Sequence, residues 1–216
     1  MKKVFISMLM VFIIVFGLLQ LGMYVKNNPT QVEMIRLSMR SVVQVTHPSY
    51  PGYPASGFYI GNDIVVTAGH VAEMEPNGII FEDGTEYEVL KSIVHPDYDC
   101  GFLLLHSVKK PALEFDSVKL KRGENLFILG NPLQLIFCVT KGIVSSVSAN
   151  SVELFGKVIL IQTDAAAFNG NSGSCVLDDD GEVQGVLVGY RVPGIEFVVP
   201  TEAILKALKE AKLEIY

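Results

Sequence analysis

The chain is poor in the residues that would give it its simplest readings. It has three cysteines in 216 residues, Cys100, Cys138 and Cys175. An odd count at wide spacing argues against a disulfide framework, although one pair could still bridge. No CxxC pair and no Cys/His cluster appears, so no metal-binding pattern is present. The thiols read as small buried hydrophobes. There is no basic run and no basic–aromatic interleaving, and the net charge is −6. Nucleic acid is therefore not an expected partner. Internal repeats and low-complexity tracts are also missing. Histidine is scarce, with His47, His70, His95 and His106 the whole supply. Any imidazole chemistry must be found among those four.

Apolar residues are plentiful, at 50% of the chain. Lys2 and Lys3 precede an apolar stretch from Val4 to Val25, interrupted by Gln20 and two glycines. A stretch of this length predicts a helix able to cross a bilayer. No A-x-A cleavage pattern follows, so residues 1–25 read as an uncleaved signal anchor rather than a removed signal peptide. The lysines favour an N-terminus inside, which makes a single-pass membrane protein with the remainder outside the cytoplasm, or a secreted one if the segment is cut. Roughly 190 residues remain, enough for one all-β or α/β domain or two small barrels.

Residues 26–40 read as a linker and a short helix. Thr30 followed by Glu33 makes a capping box, and Val32, Ile35 and Met39 share a helical face. Beyond Ser41 the pattern changes to period two and short apolar runs. Strands are predicted at Val42–Val45, Gly57–Ile60, Ile64–Thr67, Ile79–Phe81, Tyr87–Val94 and Phe102–His106. After a polar, basic connection they resume at Leu126–Leu129, Val139–Val147, Val152–Phe155, Val158–Gln162, Ser174–Leu177, Val183–Val188 and Ile195–Val199. Turn signals separate them, such as Gly61-Asn62, Asp83-Gly84 and Asp180-Gly181. This predicts an all-β chain of two six-stranded antiparallel barrels, about 41–106 and 123–200, with the site in the cleft between them. Thr201 opens a final helix over about 201–213, with Ile204, Leu205 and Leu208 on one face.

Three side chains carry candidate chemistry. Ser172 stands between Gly170 and Gly173 in TDAAAFNGNSG, Thr163 to Gly173. Flanking glycines let such a turn expose a hydroxyl while aiming backbone N–H groups at one point. A serine hydroxyl needs a base. His70, in TAGHV directly after the apolar Ile64–Val66, sits where a strand end opens toward a cleft. His47 and His95 precede prolines and read as turn residues, and His106 as an exposed strand edge. The imidazole in turn needs a buried carboxylate. Asp99, just before the apolar Gly101–Leu105, fits better than Asp97.

In the order His70, Asp99, Ser172, each at a strand edge, the sequence resembles the trypsin-like serine proteases, especially the Deg/HtrA type. The matching words are SGFYIG then TAGHV, DCGFLLL, ILGNPLQL, TKGIVS, TDAAAFNGNSGS, and GEVQGV followed by FVVP. They run in family order over most of the chain from Ser41 to Leu208. The resemblance implies a serine endopeptidase acting on protein or peptide substrates, with Ser172 as nucleophile, His70 as general base and then acid, and Asp99 as orienting carboxylate. It implies an oxyanion hole from the N–H groups of Gly170 and Ser172, and no metal or organic cofactor. The specificity pocket would be built from Ala166, Ala167 and Phe168 and from Leu187, Val188 and Gly189. None of these is charged, so a small to medium apolar P1 side chain is expected, while Arg191 at the rim would favour an acidic one.

The chain departs from the family pattern at several places. Ser174 and Cys175 stand where glycine and proline are common. Asn171 precedes the nucleophile where digestive enzymes carry aspartate, so activation by a freed N-terminus is not expected. The chain ends soon after its last helix, so a C-terminal PDZ domain is not expected either. By analogy alone, residues Thr30–Arg40 would be the segment for oligomerisation. The competing reading is an inactive, membrane-anchored homologue that binds proteins without cutting them.

Overall fold

A computed structural model describes residues 12–16, 29–49, 52, 54–115, 119–149 and 158–215. The chain divides into two compact units, Met1–Met34 and Ile35–Tyr216. In the first, residues 12–16 are helical, and Thr30 caps the start of helix α1 (Gln31–Met39), its Oγ1 accepting the Glu33 N–H at 3.3 Å. Among the described residues no helix is long and apolar enough to cross a membrane. This corrects the reading of residues 1–25 as a spanning anchor, along with the membrane partner and single-pass location drawn from it. Apart from residues 12–16, that stretch lies outside the described residues.

In the second unit the period-two runs become strands. β1 (Val42–Thr46), β2 (Ala55–Tyr59), β3 (Ile64–Thr67), β4 (Gly78–Phe81), β5 (Glu86–Glu88), β6 (Lys91–Val94) and β7 (Gly101–Leu104) form one antiparallel sheet in the order β5-β4-β1-β2-β3-β7-β6. β8 (Asn125–Gly130), β9 (Cys138–Ala149), β10 (Leu160–Thr163), β11 (Cys175–Leu177), β12 (Val183–Val192) and β13 (Ile195–Pro200) close into a barrel, β10-β13-β12-β11-β8-β9. Alternate residues fill its interior, among them Leu126 and Ile128 of β8, Leu187 of β12 and Val198 of β13.

The expected pair of six-stranded barrels is therefore wrong in its first half, which is an open seven-stranded sheet. The cause is a break at Val89-Leu90. The stretch predicted as one strand, Tyr87–Val94, is divided: β5 pairs with β4, while β6 pairs with β7 at the opposite edge. Val89 N–H donates to Asn77 and Leu90 N–H to Leu104, so the chain changes partners within two residues and the sheet's edges stay unjoined. Nor is the unit all-β. Helix α2 (Gly69–Glu73) follows β3, a 3₁₀ turn covers Pro132–Gln134, and α3 (Thr201–Glu210) packs Ile204, Ala207 and Leu208 onto the barrel. Leu205, expected on that face, is exposed. The predicted strand Val152–Phe155 lies outside the described residues.

Candidate active site

Strand pairing brings His70 and Asp99 together. β3 and β7 lie side by side with Thr67 opposite Gly101. Three residues past Thr67 and two before Gly101 therefore emerge at the same end. His70 stands in the first turn of α2, where its backbone N–H donates to Asp99 Oδ1 at 2.9 Å. Its ring Nδ1 lies 2.9 Å from Asp99 Oδ2 and 3.1 Å from Oδ1. The carboxylate side chain is only 9% exposed, the imidazole 45%. A carboxylate so placed fixes the proton on Nδ1 and leaves Nε2 as the acceptor.

Ser172 comes from the other sheet, in the loop between β10 and β11. Its backbone C=O accepts from Ser56 N–H of β2 at 2.9 Å, and Gly173 N–H donates to Leu187 at 2.8 Å. Gly170 and Gly173 have φ of +99° and +89°, and a Cβ at either would fall within 2.3 Å of Asn131 O or 2.0 Å of Ser56 O. Only glycine fits both positions. His70, Gly170 and Ser172 line one cleft of about 390 Å³ with Leu133 and Met74. The Asn169 C=O accepts from Leu133 N–H at 2.8 Å. In a trans peptide the following N–H points the opposite way, so that of Gly170 is turned away from the 132–134 segment.

A buried polar cluster fixes this loop, and sequence reasoning gave its members no role. Ser56 Oγ donates to Gly170 O at 2.7 Å and accepts from Asn131 N–H at 2.9 Å. Asn131 Nδ2 donates to Val43 O, and Thr67 Oγ1 donates to Ser56 O. Ser56, Thr67 and Asn131 are all fully buried. Ser174 Oγ donates to Asn171 Oδ1 at 3.2 Å, so Asn171 is engaged inside the loop itself. Polar residues embedded in the apolar words SGFYIG and ILGNPLQL were the available signal, because buried polar side chains need partners.

A smaller cavity of about 200 Å³ adjoins Ser172 and is lined by Ala167, Phe168, Leu187, Gly189 and Tyr190. Four of the six residues expected at the specificity pocket thus meet there. Ala166 is exposed, its C=O held by Thr140 Oγ1 at 2.8 Å. Val188 faces a different hollow, with His70 and Asp99. Arg191 is exposed on β12. Tyr190 was missed. So was Glu196, a fully buried acid on β13. His95 is more than a turn residue: it is buried, stacked on Tyr98, and its Nε2 lies 2.7 Å from Glu210 of α3. His47 and His106 are peripheral, His47 Nδ1 accepting the Ser49 N–H. All three cysteines are free, Cys100 and Cys175 buried and Cys138 partly so. Among the described residues no group of side chains could hold a metal ion.

Residues 55–186, more than half of the chain, match the trypsin-like peptidase domain. The chain belongs to the trypsin-like peptidase family. Within it, the domain is closely related to the HtrA/Deg proteases. It is 32% identical over 182 residues to serine protease HTR4 of Rattus norvegicus, covering 77% of this chain and 36% of that one. It is 33% identical over 160 residues to mitochondrial serine protease HTRA2 of Bos taurus, covering 71% and 35%. The trypsin-like chain thus spans about a third of the length of these curated relatives. Its fold is similar to that of the HtrA-type protease AlgW solved with a decapeptide, with a TM-score of 0.73, 22% identity, and coverage of 84% of this chain and 67% of that one. The serine endoprotease from Yersinia pestis gives a TM-score of 0.70 at 24% identity, covering 84% and 66%.

Proposed function

We propose that the chain is a serine endopeptidase working through Ser172, His70 and Asp99. The observation that carries this is His70, hydrogen-bonded to Asp99 through both its backbone N–H and its ring and lining one cleft with Ser172. Ser172 Oγ attacks the scissile carbonyl carbon as His70 Nε2 takes the hydroxyl proton. The C–N bond breaks as His70 returns that proton to the leaving amine, giving an acyl-enzyme. Water then loses a proton to the same nitrogen and attacks the ester, and Ser172 recovers its proton as the C–O bond breaks. Asp99 holds the imidazole in the required tautomer and stabilises its charged form. The N–H groups of Gly170 and Ser172 stabilise the oxyanion, and one such donor is worth about 3 kcal/mol of the barrier.

The cavity beside Ser172 has Ala167, Leu187 and Gly189 among its walls and no charged residue in its lining, which supports a small to medium apolar P1 side chain. Residues 189–192 of β12 offer backbone groups for pairing with an extended substrate. A peptide library incubated with the full chain, with Ser172→Ala as control, tests the reading. Discrete cuts after apolar residues, absent from the control, are expected. No serine-dependent cut at any residue would remove the peptidase reading in favour of a binding module.

A further inference from the structure

Glu196 breaks the apolar run of β13 and points inward. Val198, two residues on, belongs to the barrel core with Ala167 and Leu187, and alternate residues share a face. Glu196 is 0% exposed. It lies opposite Tyr190 on β12, and the next pair is Phe197 with Gly189. Tyr190 and Gly189 both line the cavity beside Ser172. Oε1 accepts from Gly194 N–H at 2.9 Å and from Ala167 N–H at 3.4 Å, and Ala167 is itself part of the cavity wall. The carboxylate therefore sits one hydrogen bond behind that wall. Its other oxygen, Oε2, is buried with no hydrogen-bond partner. Among the described residues no lysine or arginine pairs with it. An unpartnered carboxylate oxygen in a barrel interior is costly, and such an atom calls for a functional explanation.

We propose that Glu196 is a specificity-determining residue behind the cavity beside Ser172, its free oxygen receiving the ammonium or guanidinium of a lysine or arginine P1 side chain. The proposal rests on the peptidase reading and extends it, so that cationic P1 residues are accepted beside apolar ones. The two preferences are compatible because lysine and arginine carry long methylene stems. The stem packs along Ala167 and Leu187 while the charged head reaches the acid. A cation paired with a carboxylate in a water-poor pocket makes a strong, charge-assisted hydrogen bond. Burial pushes the Glu196 carboxyl above its ordinary range, the N–H groups of Gly194 and Ala167 pull it part of the way back, and the nearby Asp164 charge adds the smallest push upward. An arriving cation favours the charged form.

The test uses the full chain and peptides identical except at P1, which is Ala, Val, Lys, Arg or Asp. Wild type is expected to cleave after Lys and Arg as well as Val. Glu196→Gln keeps the shape and is expected to lower kcat/KM for Lys and Arg about tenfold or more while leaving Val within about twofold. A Lys-to-Val ratio unchanged by the substitution overturns the proposal, as does a wild type that cuts after Val and never after Lys or Arg. Both results leave the peptidase reading standing. Cleavage of none of the set removes that reading and this proposal with it. Should Glu196→Gln fail to fold, thermal unfolding of wild type with benzamidine or the uncharged benzamide decides. A rise in Tm with benzamidine alone is expected, and equal shifts overturn the proposal.

Discussion

At the scale of the residue, the site depends on where protons and charges are held. In Asp99→Asn one amide oxygen can still accept the His70 backbone N–H, but its NH₂ then faces Nδ1 and forces the ring proton onto Nε2. Turnover is expected to fall about 10⁴-fold with the fold intact. Near-normal kcat in a variant whose circular dichroism matches wild type would move the orienting role away from Asp99. Burial pushes the Cys175 thiol up to about 12 and raises Cys100 further still. Neither forms appreciable thiolate near neutrality, so only Cys138 is expected to react with a disulfide reagent in the native protein. Three equivalents should react after unfolding, and native labelling mapped to Cys175 would contradict this. Glu196 also bears on stability. Its folded pKa is raised, so its contribution is fully present below the unfolded value and is lost as pH rises through the folded one. Urea midpoints of wild type should fall from the ordinary glutamate range upward, and Glu196→Gln should lack that component. Superimposable pH profiles would contradict it.

At the scale of the element, strand ends and their cross-links place the chemistry. The β3–β7 register delivers His70 to Asp99; the sequence placed these strands at Ile64–Thr67 and Phe102–His106, against the observed Ile64–Thr67 and Gly101–Leu104. Less plain was α2, because one turn of helix is too short for a 3.6-residue period to appear. The division of β5 from β6 was also hidden, since residues 87–94 alternate well enough to read as one strand and only the partners at each edge reveal the break. Glu196 was legible by parity, two residues before the inward Val198, but the pocket was judged from its walls. The Ser56 cluster joins both sheets. Ser56→Ala strips the acceptor from Asn131 N–H and the donor from Gly170 O in a buried setting. Each orphaned group costs about 1–3 kcal/mol. Urea unfolding should show a loss of that order, and kcat should fall as Gly170 loosens. Unchanged stability and kcat would show that the cluster does not hold the loop.

At the scale of the whole molecule, the open sheet supplies His70 and Asp99 and the closed barrel supplies Ser172. The sheets meet where β1 and β2 pack on β8, and the polar bonds from Ser56 and Asn131 cross that seam. Short apolar runs divided by turn signals pointed to many short strands, but not to how the first sheet ends; strands such as Ile64–Thr67 and Cys175–Leu177 are buried on both faces and do not alternate. Closure of the first sheet was not readable, because it depends on an edge pairing between sequence neighbours that local pattern does not record. On the proposed reading, the two halves meet so as to activate one hydroxyl. Labelling of the full chain with a fluorophosphonate, with the modified residue located by mass spectrometry, tests this most directly. Wild type should be modified at Ser172, Ser172→Ala should take no label, and His70→Ala should label far more slowly. A wild type that stays unlabelled, or a Ser172→Ala variant that labels as fast, would contradict it.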